Sequence, residues 1–207
     1  MKFKYLFLIG FACIFVGGNA QSFQGGILGG LNAARIDGDT HELYGKLGLN
    51  AGAFIAREII PGLLYWQMEI KYTSRGKYNI QRDFQGAVLQ IELIDLKYAE
   101  LPLSLHAFAN ERIQVELGVS PDVLLKERYE LDYIEVSPEY ANDLRRFGVT
   151  GFVGANYFLR DNIAVGMRFN YSLIPFYKFD AYAVRYRDSG FFHDVLSLNA
   201  RYYFIRR

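Results

Sequence analysis

Cysteine, proline and excess charge are scarce in this chain, and each shortage excludes a class of protein. One cysteine and 5 prolines among 207 residues exclude a disulfide scaffold, a cysteine-rich zinc site and a proline-rich linker. The 23 basic and 22 acidic residues nearly cancel, which excludes binding of a polyanion through bulk charge. The sequence is instead rich in glycine (20), phenylalanine (17) and tyrosine (16), a composition typical of strands and turns.

A single apolar run opens the chain. Met1–Lys4 is basic, Tyr5–Val16 is apolar and uncharged, and Gly18-Asn19-Ala20 places small residues where a signal peptidase cuts. The run is too short for a membrane-spanning helix, which needs roughly 20 apolar residues. We therefore expect a secretory signal peptide over residues 1–20, cleaved near Ala20, and one mature domain over residues 21–207.

After Ala20 the dominant pattern is an alternation of apolar and polar residues. Apolar residues occupy every odd position from Ile163 to Leu173, and small or polar residues occupy the even ones. A period of two predicts half-buried β-strands. A bend is expected near Ala99–Pro102, because proline cannot donate a ladder hydrogen bond. Eight strands are predicted, at Gln24–Ala34, Lys46–Arg57, Leu63–Ser74, Leu89–Phe108, Arg112–Lys126, Phe147–Leu159, Asn162–Phe176 and Asp194–Ile205.

Short and long connections alternate between these strands. The long connections are Arg35–Gly45, Arg75–Val88, Glu127–Arg146 and Tyr177–His193. Outer-membrane barrels show this asymmetry, with short periplasmic turns and long outer loops. The sequence therefore predicts an all-β fold, an eight-stranded antiparallel up-and-down transmembrane β-barrel in the cell outer membrane.

The alternation leaves open which face of the strands points inward. A secreted lipocalin-like carrier of small ligands has a similar strand number but an apolar interior, and it remains an alternative. Aromatic residues near the strand ends favour an apolar surface that faces lipid. The polar face carries charges of both signs, which can pair across a narrow lumen: Glu69, Lys71, Glu116, Arg168 and Arg201. An open pore is not expected, because side chains fill a barrel of this size.

Several short motifs, taken in order, resemble the PorT-type outer-membrane β-barrel family. They are Gly29-Gly30-Leu31-Asn32-Ala33 followed by Asp37-Gly38-Asp39, then Met68–Gly76, then Tyr98-Ala99-Glu100-Leu101-Pro102-Leu103, and the terminal strand Leu196–Phe204. The resemblance implies an integral barrel from bacteria of the type IX secretion lineage, in a family whose founding member is associated with protein secretion. The matching residues are architectural, so the resemblance brings no catalytic residue with it.

Few residues are candidates for chemistry. Ser104 and His106 share a strand face and suit a lipid A-modifying hydrolase, the enzymatic alternative, in which His106 takes the Ser104 proton. The competing interpretation is a polar pair in the barrel wall near the periplasmic rim. His41 and His193 are expected in long loops with no second ligand at metal spacing. The turn Asp37-Gly38-Asp39 lacks the closing Glu of a calcium loop.

The sequence therefore predicts a protein that is not an enzyme, without catalytic, cofactor-binding or metal residues and without a cofactor. The expected partners are outer-membrane lipid and envelope or secretion proteins that contact the long outer loops; no nucleic acid is expected. Two of these loops are candidate partner surfaces. The alternative for the third is a solvated loop, and the alternatives for the last are strand that extends beyond the membrane and a cap on the barrel. The third carries Tyr133 and Tyr140, and the last carries Tyr177, Phe179, Tyr182, Tyr186, Phe191 and Phe192.

Overall fold

Antiparallel strands close into a ring in the computed structural model, which describes residues 23–37, 44–135, 144–177 and 190–204. The strands are β1 (Gln24–Asp37), β2 (Lys46–Ile60), β3 (Leu64–Arg82), β4 (Val88–Glu100), β5 (Leu103–Phe108), β6 (Ile113–Leu131), β7 (Ile134–Glu135), β8 (Phe147–Arg160), β9 (Ile163–Ser172) and β10 (Phe192–Tyr203). The predicted signal peptide and His41 lie outside the described residues.

The ring contains eight wall strands, as the sequence predicts. β4 and β5 lie end to end between β3 and β6 and count as one wall strand. β7 lies outside the ring and pairs only with the end of β6. The other strands pair with their neighbours in chain order, and β10 pairs with β1 to complete the ring. The eight-stranded up-and-down topology is therefore confirmed.

The fourth wall strand breaks where a bend was predicted. β4 ends at Glu100 and β5 begins at Leu103, so Leu101 and Pro102 interrupt the strand. The Pro102 carbonyl accepts the Glu69 N–H at 2.9 Å, and the Leu101 N–H donates to the Pro121 carbonyl at 3.0 Å. The wall therefore stays hydrogen-bonded on both sides of a residue that has no N–H of its own.

Over most of the wall, polar side chains line the lumen and apolar side chains point outward. The outer half of β4 is reversed, because Ile94, Leu96 and Tyr98 are buried inside the barrel. On β3, Glu69 is 1% exposed while its neighbour Ile70 is 67% exposed. On β6, Glu116 is buried while Leu117 is exposed. A lipocalin-like carrier needs the opposite arrangement, so that alternative is wrong.

The outer connections differ from the prediction. The second long connection, Arg75–Val88, is wrong because β3 continues to Arg82 and β4 begins at Val88. The first residues of the third connection, Glu127–Arg146, belong to β6, which extends to Leu131. The face alternation breaks at Gly76, whose φ is +141°, and this irregularity hides the continuing strand from sequence reasoning. The predicted seventh strand, Asn162–Phe176, ends earlier, at Ser172.

Two apolar clusters inside the barrel close the two ends of the lumen. The inner apolar cluster lies beside the short turns and comprises Leu28, Phe54, Tyr65, Phe108, Phe158, Ala164 and Tyr203. The outer apolar cluster lies beside the long connections and comprises Ile36, Ile94, Leu96, Tyr98, Tyr129 and Phe176. A cavity of about 10 Å³ beside the inner cluster is too small to hold more than one water molecule. Among the described residues, no helix is long and apolar enough to cross a membrane.

Candidate functional site: the lumen and the outer extension

A charged network crosses the middle of the lumen. The guanidinium of Arg168 on β9 reaches Glu69 on β3 at 2.7 Å and Glu116 on β6 at 2.6 Å. Arg201 on β10 donates to Glu116 at 2.8 Å. The Arg168 guanidinium also lies over the ring of Phe152, 4.2 Å from its centre. The predicted pairing of these four charges across the lumen is confirmed.

A second network lies one layer nearer the outer end. Glu100 accepts from both Lys71, at 2.8 Å, and Arg75. Arg75 also donates to Thr150 at 3.1 Å, and Thr150 in turn donates to Asp122 at 2.9 Å. These side chains link β3, β4, β6 and β8.

The two networks together are electrically neutral. Four cations face four carboxylates: Lys71, Arg75, Arg168 and Arg201 against Glu69, Glu100, Glu116 and Asp122. Charges removed from water are tolerated only when they are paired and hydrogen-bonded, as these are. With the apolar cluster at each end, the lumen has the composition of a cross-linked core and not of a channel.

Ser104 and His106 are brought together, but within the closed lumen. Ser104 Oγ lies 2.9 Å from His106 Nε2, and His106 Nδ1 lies 3.0 Å from the amide oxygen of Gln114. The two side chains are 7% and 1% exposed, and β5 leads into a short turn at the periplasmic end. An outer-leaflet glycolipid therefore has no route to the Ser104 hydroxyl. The polar wall pair near the periplasmic rim describes the geometry better than a hydrolase.

His193 does not lie in a loop, so this prediction is wrong. It belongs to β10, is 2% exposed, and its Nε2 lies 3.0 Å from the Tyr98 hydroxyl. Its ring stacks on Phe176 at 4.2 Å between centres. The strand begins two residues earlier than predicted, and this shift places His193 beneath the outer apolar cluster. No group of three or more metal-ligating side chains occurs within the described ranges.

An extension of β3, β4 and β6, together with the short β7, rises beyond the barrel wall. The last β2–β3 pair is Asn50 with Thr73, whereas β3 continues to Arg82, nine residues further. At about 3.3 Å per residue this is roughly 30 Å along the strand. We call β3 from Tyr78, β4 to Glu92, and β6 from Arg128 with β7 the outer extension. Its apolar side chains are exposed at Tyr78, Phe84, Val88, Leu89, Tyr133 and Ile134.

The turn between β6 and β7 holds an aromatic residue in a strained conformation. Asp132 and Tyr133 have φ of 50° and 67°, the left-handed region that a tyrosine seldom adopts. The Asp132 carboxylate accepts a hydrogen bond from the Ile91 N–H at 2.9 Å. The backbone N–H of Asp132 donates to the Ile91 carbonyl, also at 2.9 Å. These bonds fix the turn to β4 and leave the Tyr133 ring 76% exposed. Strain of this kind is characteristic of functional positions.

A polar cluster joins three strands at the outer rim of the barrel. Asp95 accepts from Lys46 at 2.6 Å and from Ser74 at 2.7 Å. Burial alone would raise the pKa of Asp95, but the hydrogen bonds from Lys46 and Ser74 and the positive charges of Lys46 and Lys97 outweigh it and lower the pKa. The Lys46 chain passes over Gly76, where an added Cβ would lie 3.1 Å from it.

Sequence reasoning placed Lys71 on the lumen face but missed the other members of the second network and all of the rim cluster. Arg75 and Asp122 continue the inward alternation of β3 and β6, a signal that was available. Lys46 was seen only as the start of a strand, and nothing in its local sequence points to Asp95, 49 residues away. Of the turn residues Asp37-Gly38-Asp39 only Asp37 is described, and it accepts from the Tyr171 hydroxyl at 2.8 Å.

An eight-stranded ring with an apolar outer surface and a charged, filled lumen defines a small outer-membrane β-barrel. The chain belongs to the outer membrane protein beta-barrel domain family, whose sequence model matches residues 19–178. This membership agrees with the predicted location in the outer membrane and with contact to its lipid. No curated protein matches the chain by sequence.

The solved structures that are similar to this chain include several barrels of outer membranes. They include Ail, the attachment invasion locus protein of Yersinia pestis, at 13% identity over 87% of this chain and 98% of that chain, with a TM-score of 0.47. Neisserial surface protein A is another, at 12% identity over 87% of this chain and 96% of that chain, with a TM-score of 0.49. The outer membrane enzyme PagL is similar at 12% identity over 87% of this chain and 99% of that chain, with a TM-score of 0.33. These are likenesses of fold and carry no function to this chain.

Proposed function

We propose that this protein is an interaction protein of the cell envelope that binds a protein partner outside the membrane through its outer extension. The observation that carries the proposal is the exposed apolar set on that extension, from Tyr78 to Ile134. Apolar side chains on the wall face lipid, but those on the extension lie beyond the membrane and face water. Exposed apolar patches in water are typical of protein interaction sites.

The closed lumen supports a binding role over transport or catalysis. Two apolar clusters and a neutral charged network fill the interior, and the Ser104–His106 pair is buried within it. The remaining surface available to a water-soluble partner is the outer end. The strained turn at Tyr133 adds a feature that packing of the barrel does not require, because this ring points away from the protein.

The motifs that resemble the PorT-type family support a link between this role and protein secretion. In this proposal the partner is a secretion or envelope protein, and the barrel provides a rigid mount for the extension. The mature chain reaches the outer membrane after cleavage of the signal peptide near Ala20. No catalytic residue and no cofactor take part.

The test places a photo-reactive amino acid at position 133 in living cells that produce the protein. We expect a cross-linked envelope or secretion protein that is lost when Phe84, Leu89 and Ile134 are all replaced by serine. A photo-reactive residue at position 31, on the lipid-facing wall, is the matched control and should give no such product. The proposal would be contradicted if the extension cross-linked no protein, or if it cross-linked the same protein after the serine replacements.

The link to secretion is tested separately, by comparing the proteins released by cells with and without the gene. Reduced release, restored by the wild-type chain but not by the triple serine variant, is the expected result. If release is unchanged while the cross-link persists, the binding role stands and the link to secretion is wrong.

A further inference from the structure

Two lysines on neighbouring strands stand side by side on the outer surface of the wall. Lys97 of β4 is the residue paired with Lys126 of β6. Leu96 and Tyr98, which flank Lys97 in the strand, are buried in the lumen, so Lys97 points outward. Residues directly opposite each other in an antiparallel pair point to the same side, so Lys126 points outward as well.

A bulge creates this arrangement. Tyr98 pairs with Leu124 and Lys97 pairs with Lys126, which leaves Leu125 without a partner on β4. Without the extra residue a leucine would lie opposite Lys97. Like charges directly opposite each other destabilise a sheet, so the bulge has produced an unfavourable pair that needs compensation from elsewhere.

The protein supplies little of that compensation. Asp95 lies 3.9 Å from Lys97, but its nearer contact is with Lys46 at 2.6 Å. Within the described ranges, no carboxylate lies within ion-pair distance of Lys126. Glu127, the next residue of β6, is paired in register with the inward-facing Leu96. The next charged residue on the face of Lys126 is Arg128, which pairs with Glu130. The lysine pair therefore carries an excess of positive charge on an exposed surface.

The pair lies at the level of the lipid headgroups. The outward side chains of β6 from Ile113 to Val123 are all apolar, Pro121 included. They span ten residues along the strand. At about 3.3 Å per residue and a tilt near 40°, this band is roughly 25 Å tall, the height of the lipid-facing band of an outer-membrane barrel. Lys126 is the first charged residue beyond the band on its outer side.

The surface below the lysines fits a lipid chain. Ala99 lies next below Lys97 on the outer face of β4, between Tyr72 of β3 and Val123 of β6. The small alanine between two larger exposed side chains forms a shallow notch that runs down from the ammonium groups. A phosphate at the lysines would leave the acyl chain of the same molecule beside this notch.

We propose that Lys97 and Lys126 form a binding site for the phosphate of an anionic lipid headgroup in the outer leaflet, with one acyl chain in the notch at Ala99. The phosphate relieves the repulsion between the two ammonium groups by accepting hydrogen bonds from both. This site is independent of the outer extension and of the partner proposed for it.

The experiment uses the full barrel in phosphatidylcholine nanodiscs that contain a small fraction of bis-phosphorylated lipid A, with native mass spectrometry to count the retained lipid. The variant Lys97→Gln with Lys126→Gln should retain about tenfold less of this lipid than the wild type. Lys97→Arg with Lys126→Arg should retain it as the wild type does. Arg82→Gln with Arg112→Gln removes two charges at the far ends of the molecule and should have no effect.

Three results of the retention measurements would overturn the site. They are equal retention by the double glutamine variant, an equal loss in the Arg82 and Arg112 control, and equal wild-type retention of lipid A whose phosphates have been removed. A competition with inorganic phosphate separates the two sources of the ligand. Inorganic phosphate at the same concentration as the lipid headgroups should leave the lipid bound. If the phosphate displaced the lipid, the lysines would be a site for free phosphate and the lipid site would be contradicted. A heat-modifiability gel confirms that each variant is folded.

Discussion

Arg168 and Glu69 face each other across the full width of the lumen and are joined by two hydrogen bonds, of 2.7 and 3.1 Å. Their strands, β9 and β3, stand on opposite sides of the eight-stranded ring. The pair therefore acts as a cross-brace between walls that share no backbone hydrogen bond.

Replacing Arg168 by methionine should strongly destabilise the barrel. The change leaves Glu69 and Glu116 buried with one cation fewer, and removal of one partner from a buried ion pair costs about 3–5 kcal/mol. Urea unfolding of the protein in lipid vesicles, followed by a gel without boiling, measures the effect. The exposed turn residue Arg112 is the matched control, and Arg112→Met should change the free energy of unfolding by less than about 0.5 kcal/mol.

A double variant tests whether the cost comes from the unpaired carboxylate. Glu69→Gln combined with Arg168→Met should destabilise less than the sum of the two single changes, because the double variant buries one charge fewer than Arg168→Met alone. Strict additivity would show that the two residues act separately.

The wild-type barrel should not conduct ions as a porin does. The inner and outer apolar clusters block both ends of the lumen, and the charges between them are paired. Purified protein added to a planar bilayer should give no steady conductance at a protein concentration at which a general porin conducts. Stable porin-sized steps that appear only with the folded, unboiled protein would refute the filled lumen.

Replacing each of two adjacent glycines by alanine should have very different effects on the stability of the barrel. An added Cβ at Gly30 would lie 2.0 Å from the Leu198 carbonyl oxygen, whereas one at Gly29 has its nearest neighbour at 3.8 Å. Gly30→Ala should therefore lower the free energy of unfolding by about 1–3 kcal/mol. Gly29→Ala should change it by less than about 0.5 kcal/mol. Urea unfolding in vesicles compares the two, and similar effects would contradict the close approach of β1 and β10.

The Asp95 carboxylate should stabilise the outer rim at neutral pH and lose this effect in acid. Because its folded pKa is lowered, its contribution is present above the unfolded pKa and disappears as the pH falls through the folded value. Asp95→Asn should lower the free energy of unfolding by about 1–3 kcal/mol at pH 7, since Lys46 loses its charged partner. The difference should fade below about pH 4.

The exposed turn residue Asp161 provides the comparison for Asp95. Asp161→Asn should change the free energy of unfolding by less than about 0.5 kcal/mol at pH 7. A difference for Asp95→Asn that persists unchanged at pH 2.5 would show that the carboxylate charge is not responsible.

The wall could be predicted from the sequence, and the outer end could not. Inside the membrane, lipid and lumen impose opposite demands on alternate residues, so positions such as Ile70 and Glu69 show their faces in the sequence. Beyond the membrane both faces meet water or other loops, and the alternation fades after Gly76 although the strand continues. The lengths of β3 and β6 were underestimated for this reason.

The candidate sites show the same division. The sequence placed Glu69, Glu116, Arg168 and Arg201 on a common face and so predicted that they pair. It could not predict which acid pairs with which arginine, because strand register decides which side chains meet across the lumen. The lysine pair depends on one extra residue, Leu125, whose effect on register is invisible in the local sequence. The strain at Tyr133 likewise depends on the backbone bonds between Asp132 and Ile91.

The seam between the first and last strands has a consequence for how the protein is made. Twelve residue pairs, from Gly26 with Tyr203 to Asp37 with Phe192, join the first and the last wall strands, which are far apart in the sequence. Until the last strand is synthesised, β1 has an open edge whose N–H and C=O groups hydrocarbon cannot satisfy. Insertion one hairpin at a time into bare lipid is therefore unfavourable. The ring can close only when β10 lies beside β1, so no partial set of the wall strands forms a wall without an open edge.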